Sequence, residues 1–92
     1  MALFAADLEF TSDLDHRDEI RPKHREYLRS LVEAGKLHES GPYIDNSGAL
    51  MIYEAADMAE AQELVSADPY AKAGIVQGAK IHEWKIVVAK NA

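Results

Sequence analysis

The sequence predicts an α+β domain of the ferredoxin-like kind: elements in the order β-α-β-β-α-β, one antiparallel sheet, and two helices on a single face. Three observations carry that prediction. Residues 2–10 alternate in polarity, two later stretches place apolar residues at helical spacing, and Asp45-Asn46-Ser47-Gly48 marks a tight turn between two further strands. Short connections and right-handed crossovers then favour this arrangement.

In the first strand, Ala2, Phe4, Ala6, Leu8 and Phe10 share one parity, with Asp7 and Glu9 on the other, so one face is buried. Thr11–Glu19 is polar and reads as a loop with at most a short helical turn, Ser12, Asp13 and Asp15 serving as turn or capping residues. From Pro22 to Ala34, Tyr27, Leu28, Leu31 and Val32 follow Ile20 and His24 at helical spacing; Pro22 fits a first turn and Gly35 a C-cap. Leu37–Ile44 reads as a strand that Gly41-Pro42 marks as an edge, bulge or bend. After the turn at 45–48, Ala49–Ala55 reads as a strand apolar on both faces. Asp57-Met58-Ala59-Glu60 has the form of a capping box, and Met58, Ala61, Leu64 and Val65 continue it as a helix. Asp68-Pro69-Tyr70 ends that helix and caps a short turn reaching Gly74, and Ala79–Ala89 reads as the last strand. Apolar side chains of the third and fourth strands on the helix-free face predict a homodimer packed sheet to sheet.

Composition narrows the function classes. The chain has 92 residues, which fits one domain spanning 1–92. Sixteen acidic residues against 10 Lys plus Arg give a net charge of 10 − 16 = −6. That balance excludes a dedicated nucleic-acid binder and an anionic membrane surface as partner. The absence of cysteine removes disulfides, thiolate metal sites and a Cys nucleophile, and fits a cytoplasmic location. Neither a signal peptide nor a membrane span is read.

Topology then gathers the chemistry-bearing residues. The first helix starts, and the second ends, at the end of the sheet where the first strand finishes, so His24 and Asp68 lie at one end of the domain. An imidazole oriented by a carboxylate is a general acid–base unit. Each residue also has a plainer reading: His24 as a histidine buried on its helix stripe, Asp68 as the N-cap of a short turn. Arg17, in the expected loop, is a candidate clamp for an anionic group. Ser40, Gly41 and Pro42 are candidates to line the same cavity, and Tyr70 to contact a substrate or pack. No metal-ligand spacing and no glycine-rich phosphate loop is present, so neither a metal nor another cofactor is expected.

The ordered set Arg21-Pro22-x-His24-x-x-Tyr27-Leu28, Glu33-Ala34-Gly35-Lys36-Leu37, Ser40-Gly41-Pro42, Gly48-Ala49-Leu50 and Asp68-Pro69-Tyr70-x-x-Ala73-Gly74, closed by a strand with Trp84, resembles the YCII-related family over nearly the whole chain. The resemblance implies a dimeric α/β-barrel subunit related in fold to muconolactone isomerase. It further implies a His and an Asp at the active site, matching His24 and Asp68, with Ser40, Gly41 and Pro42 beside them. Some such proteins remove chloride from chlorinated hydroxy-aromatic intermediates. The charged stretch Leu14–Glu19 departs from the simplest members at the mouth of the expected pocket.

Together these readings predict a small cofactor-independent enzyme of the lyase or isomerase type. It would carry out dehydrochlorination or proton transfer on a small hydroxy-aromatic or cyclic substrate, as a homodimer or higher homo-oligomer. The alternative is a non-catalytic dimeric module that binds a small ligand or a partner protein.

Overall fold

The computed structural model describes residues 1–90. Its elements are β1 (Ala2–Phe10), α1 (Leu14–Glu33), β2 (Leu37–Pro42), β3 (Gly48–Ala55), α2 (Met58–Ser66), α3 (Pro69–Lys72) and β4 (Val76–Trp84). The strands form one antiparallel sheet in the order β2-β3-β1-β4. The predicted α+β class, with one antiparallel sheet and the β-α-β-β-α-β order along the chain, is therefore what the chain adopts, the short α3 added after α2. One face of the sheet carries the core: Phe4, Ala6, Leu8 and Phe10 of β1 and Ala49, Met51, Tyr53 and Ala55 of β3 are buried with Leu31, Leu64 and Val65 from the helices.

The first helix begins well before the sequence reading placed it. The segment expected as a loop becomes helical at Leu14, where Asp13 caps the helix by accepting the His16 N–H at 3.0 Å. Pro22 consequently lies inside α1, not in its first turn. It denies the Asp18 carbonyl an N–H partner, a cost of about 3 kcal/mol in a helix interior. Tertiary packing offsets that cost, because Arg17, His24 and Leu31, each two turns apart, are buried, with Ile20, Tyr27 and Leu28 partly buried beside them.

Two strands also differ in extent. β2 ends at Pro42 instead of Ile44; it is an edge strand, carries a bulge between Leu37 and Glu39, and so tolerates a residue without an N–H. β4 starts at Val76, not Ala79, and stops at Trp84, not Ala89. Its partner sets both limits: Phe10 of β1 pairs with Val76 and Leu3 with Trp84. The pairing ends with Leu3 and Trp84, and Ile86, Val87 and Val88 lie outside the sheet and are exposed.

Connections follow the expected turn chemistry. Asn46 adopts φ 65° between β2 and β3, and Asp45 accepts the Ser47 N–H at 2.9 Å. The capping box forms with a small displacement: Asp57 accepts the Glu60 N–H, while Glu60 reaches back to the N–H of Ala56, one residue before the cap. At Gly48 the backbone of β1 approaches so closely that a Cβ would sit 1.8 Å from the Leu8 carbonyl oxygen. On the helix-free face the register places Leu50 and Ile52 of β3 and Trp84 of β4, as expected, together with Leu3 and Ala5 of β1. Among the described residues no helix is long and apolar enough to cross a membrane.

Candidate active site

Asp68 is the polar group around which the site is built. It ends the α2 segment, adopts extended φ/ψ, and caps α3 by accepting the Tyr70 N–H on Oδ1 at 2.9 Å. The same Oδ1 lies 2.7 Å from Nδ1 of His24 on α1. The two sequence readings of Asp68, helix cap and histidine partner, are thus both realised by one oxygen. Asp68 is fully buried and His24 is 9% exposed. An ionised carboxylate only accepts hydrogen bonds, so the bond requires the proton on Nδ1 and leaves Nε2 of a neutral ring with a free lone pair.

Tyr70 fixes the imidazole plane. Its ring stacks on His24 at a centroid distance of 3.8 Å with only 2° between planes, and Phe10 meets it edge-on at 5.3 Å. A closed circuit results: the Asp68 carboxylate holds the Tyr70 N–H, the Tyr70 ring covers His24, and His24 returns to the carboxylate. Two further hydroxyls feel this charge, Tyr53 from inside the core and Tyr27 from a half-buried place against it. Burial first, and Asp68 second, push the Tyr27 hydroxyl up to about 12. The same causes act more strongly on Tyr53. Oδ2 of Asp68 and the Tyr53 hydroxyl are both buried without a hydrogen-bond partner among the described residues.

His24 forms part of the wall of a cavity of about 420 Å³ between α1 and the β2–β3 hairpin. The cavity brings together every residue singled out from sequence except Asp68, which stands behind His24: Arg17, Ser40, Gly41, Pro42 and Tyr70 all line it. Arg17 is helical and 5% exposed, not a solvated loop residue. Its terminal nitrogens donate to the backbone carbonyls of Asn46 at 2.9 Å and Thr11 at 2.6 Å, and its guanidinium lies 4.9 Å from the Phe10 ring centroid. Arg17 therefore ties the start of α1 to the β2–β3 turn at the cavity wall. Arg21 and Arg25 also line the cavity, and the sequence reading gave neither a role. Their signal was the four-residue spacing from Arg17, which becomes meaningful once α1 is known to begin at Leu14. No group of three or more metal-ligating side chains gathers among the described residues.

The pattern of the YCII-related domain matches residues 2–85. The chain belongs to the YCII-related family. Among relatives of this YCII-related protein is the "derivative of benzaldehyde biosynthesis cluster protein C" of Emericella nidulans, 35% identical over 70% of this chain and 76% of the relative. A second, the uncharacterized protein YjpA of Bacillus subtilis, is 35% identical over 68% of this chain and 73% of its own. Among solved structures, 5-chloro-2-hydroxyhydroquinone dehydrochlorinase (TftG) from Burkholderia phenoliruptrix AC1100, in complex with 2,5-dihydroxybenzoquinone, is similar. It superposes with a TM-score of 0.79 at 27% identity, covering 90% of this chain and 93% of that one.

Proposed function

We propose that this YCII-related protein is a small-molecule enzyme of the lyase or isomerase type in which His24 moves a proton and Asp68 orients it. The observation that carries the reading is the 2.7 Å His24–Asp68 bond at the cavity wall, with the carboxylate wholly buried. Nε2 takes a proton from a substrate carbon or hydroxyl, and the Asp68 charge stabilises the imidazolium that forms. In an elimination one hydroxyl proton is first passed to the chlorine-bearing ring carbon, giving the keto tautomer with a tetrahedral carbon. Nε2 then removes a second hydroxyl proton, and that O–H electron pair forms a carbonyl π bond as chloride leaves, for a net loss of H⁺ and Cl⁻. In an isomerisation the imidazolium returns its proton to a different substrate atom. In this reading Ser40 receives a ring hydroxyl, Tyr70 contacts the substrate ring, and Gly41 and Pro42 shape the wall of the cavity that all four line. The likeness to a dehydrochlorinase over most of both chains supports the reaction class.

The test is chloride release, or isomer formation, from chlorinated and unchlorinated hydroxyhydroquinones. His24→Ala is expected to lower kcat by about 100-fold or more, the usual contribution of a positioned general base, with an unchanged circular-dichroism spectrum. Full turnover by that variant overturns the reading.

We propose further that two copies pair through the helix-free sheet face. Leu50 and Trp84 there are 41% and 43% exposed, and Leu3 and Ala5 extend the apolar surface between them. Light scattering is expected to give twice 10.2 kDa. Leu50→Glu is expected to halve that mass, and a wild-type monomer at micromolar concentration removes the proposal.

A further inference from the structure

The cavity carries a charge pattern that its acid–base pair does not use. Arg17, Arg21 and Arg25 line it with His24, and no Asp or Glu does, in a chain with 16 acidic residues against 10 basic ones. The three arginines recur every fourth residue of α1 and so share one face, where like charges repel. The opposing walls are uncharged: Ser40, Gly41 and Pro42 from β2, Asn46 from the turn, and Ala49 and Met51 from β3.

The three cations are not equivalent. Arg17 has its terminal nitrogens engaged by backbone carbonyls, while its buried Nε has no partner among the described residues. Arg21, half-buried, pairs with Asp18 at 2.5 Å, and its guanidinium is raised above its ordinary value by the Tyr70 hydroxyl beside it first and by Asp18 after that. Arg25 is exposed and makes no ion pair among the described residues. Cationic side chains are thus concentrated along one wall, and the outermost is uncompensated. The remaining surface is apolar, with Phe10, Leu28 and Met51 among the lining side chains. A cavity of roughly 150 Å³ suffices for a benzene ring, so this volume admits a substituted one.

We infer that the ligand of this cavity is a planar organic anion whose carboxylate is received by Arg21 and Arg25 while its ring lies against the apolar wall near His24. A guanidinium fork matches a carboxylate with two parallel hydrogen bonds, which a neutral ring substituent cannot reproduce. Calling that ligand a substrate rests on the acid–base reading of the same cavity; its charge does not.

The experiment compares 2,5-dihydroxybenzoate with 2,5-dihydroxybenzamide, the same ring with and without the charge, by calorimetric titration at low and physiological salt. The carboxylate is expected to bind roughly tenfold or more tightly than the amide, with the preference shrinking as salt rises. Arg25→Gln and Arg21→Gln are expected to reduce that preference, and Arg25→Gln, at an exposed helix position, leaves the fold intact. Arg29→Gln, one turn further and outside the cavity, is expected to change nothing. His24→Gln is expected to keep the preference, because the arginines set it.

Equal binding of the two compounds, or no binding of either at millimolar concentration, overturns the inference. Turnover of neutral compounds that depends on His24 would in that case leave the acid–base reading standing. A charge preference that survives in His24→Gln, with no turnover of any compound by the wild type, instead supports the anion site and removes the enzymatic reading.

Discussion

One oxygen atom, Oδ1 of Asp68, accepts from both Tyr70 N and His24 Nδ1. Charge and geometry can therefore be separated at this residue. Asn at position 68 with its carbonyl oxygen in the place of Oδ1 still accepts both N–H groups, but it carries no charge to stabilise an imidazolium. Asp68→Asn is expected to cost about 1–2 kcal/mol, because both hydrogen bonds survive while a buried amide N–H group replaces the unpartnered Oδ2. Turnover is expected to fall by tenfold or more. Asp68→Ala strands two buried donors and removes a helix cap, and is expected to cost about 2–4 kcal/mol. Urea unfolding of the two variants beside their kcat values checks this. Equal destabilisation by Asn and Ala would show that the charge, not the hydrogen-bond geometry, holds α1 to α3. Tyr70 belongs to the same unit, since its ring stacks on His24 and its N–H shares the carboxylate. This pairing was legible in the sequence because topology alone places the start of one helix beside the end of the other.

At the scale of elements, the close approach of β3 to β1 gives the sharpest expectation. A methyl group at Gly48 would meet the Leu8 carbonyl oxygen at 1.8 Å, and both partners are backbone within paired strands. Gly48→Ala is expected to cost about 3 kcal/mol, the upper range for overpacking, read as a lower midpoint of thermal unfolding. A midpoint within a degree of wild type would mean that the two strands can separate freely there. Sequence reasoning saw this glycine only as the end of a hairpin turn, since a close backbone approach leaves no mark on the pattern of neighbouring residues. The first turns of α1 were hidden for a different reason. The buried positions at that end are Arg17 and His24, so the side facing the sheet reads as polar, and Pro22 offered a false start. Polar and charged side chains on the inner face of α1 interrupt the apolar period that would have revealed it. At β4 the apolar run Ile86-Val87-Val88 drew the expected strand past Trp84, although strand length is set by the partner, and β1 begins at Ala2.

Over the whole molecule, acidic residues prevail in number while cations gather at one cavity. Among the described residues Asp68 is the one carboxylate buried in the core, with Tyr53 buried and Tyr27 half-buried near it. Burial of these tyrosines, with the Asp68 charge adding to it, makes stability sensitive to alkali. In the folded chain the Tyr27 hydroxyl is pushed from 10 up to about 12, by burial first and Asp68 second, and Tyr53 is raised further by the same causes. Tyr43, which donates to Asp7 at 2.8 Å, is also raised, chiefly by that bond. Above pH 10 the unfolded chain releases these protons while the folded chain keeps them, so the unfolded state binds fewer and stability falls as pH rises. The contribution is complete below pH 10, declines between 10 and 12 for Tyr27, and goes on declining beyond that for Tyr53. The urea midpoint is accordingly expected to drop steeply between pH 10 and 12, with tyrosinate absorbance at 295 nm appearing in step with unfolding. Tyr27→Phe, which removes one of the raised groups, should flatten the slope in that window. If all four tyrosines of the native protein ionise together near pH 10 with no change in the urea midpoint, the core is open to hydroxide and Asp68 is not sealed from water. The proton held between it and His24 would in that case exchange directly with solvent, and the carboxylate would lose the low-dielectric surroundings that make its charge effective on the imidazolium.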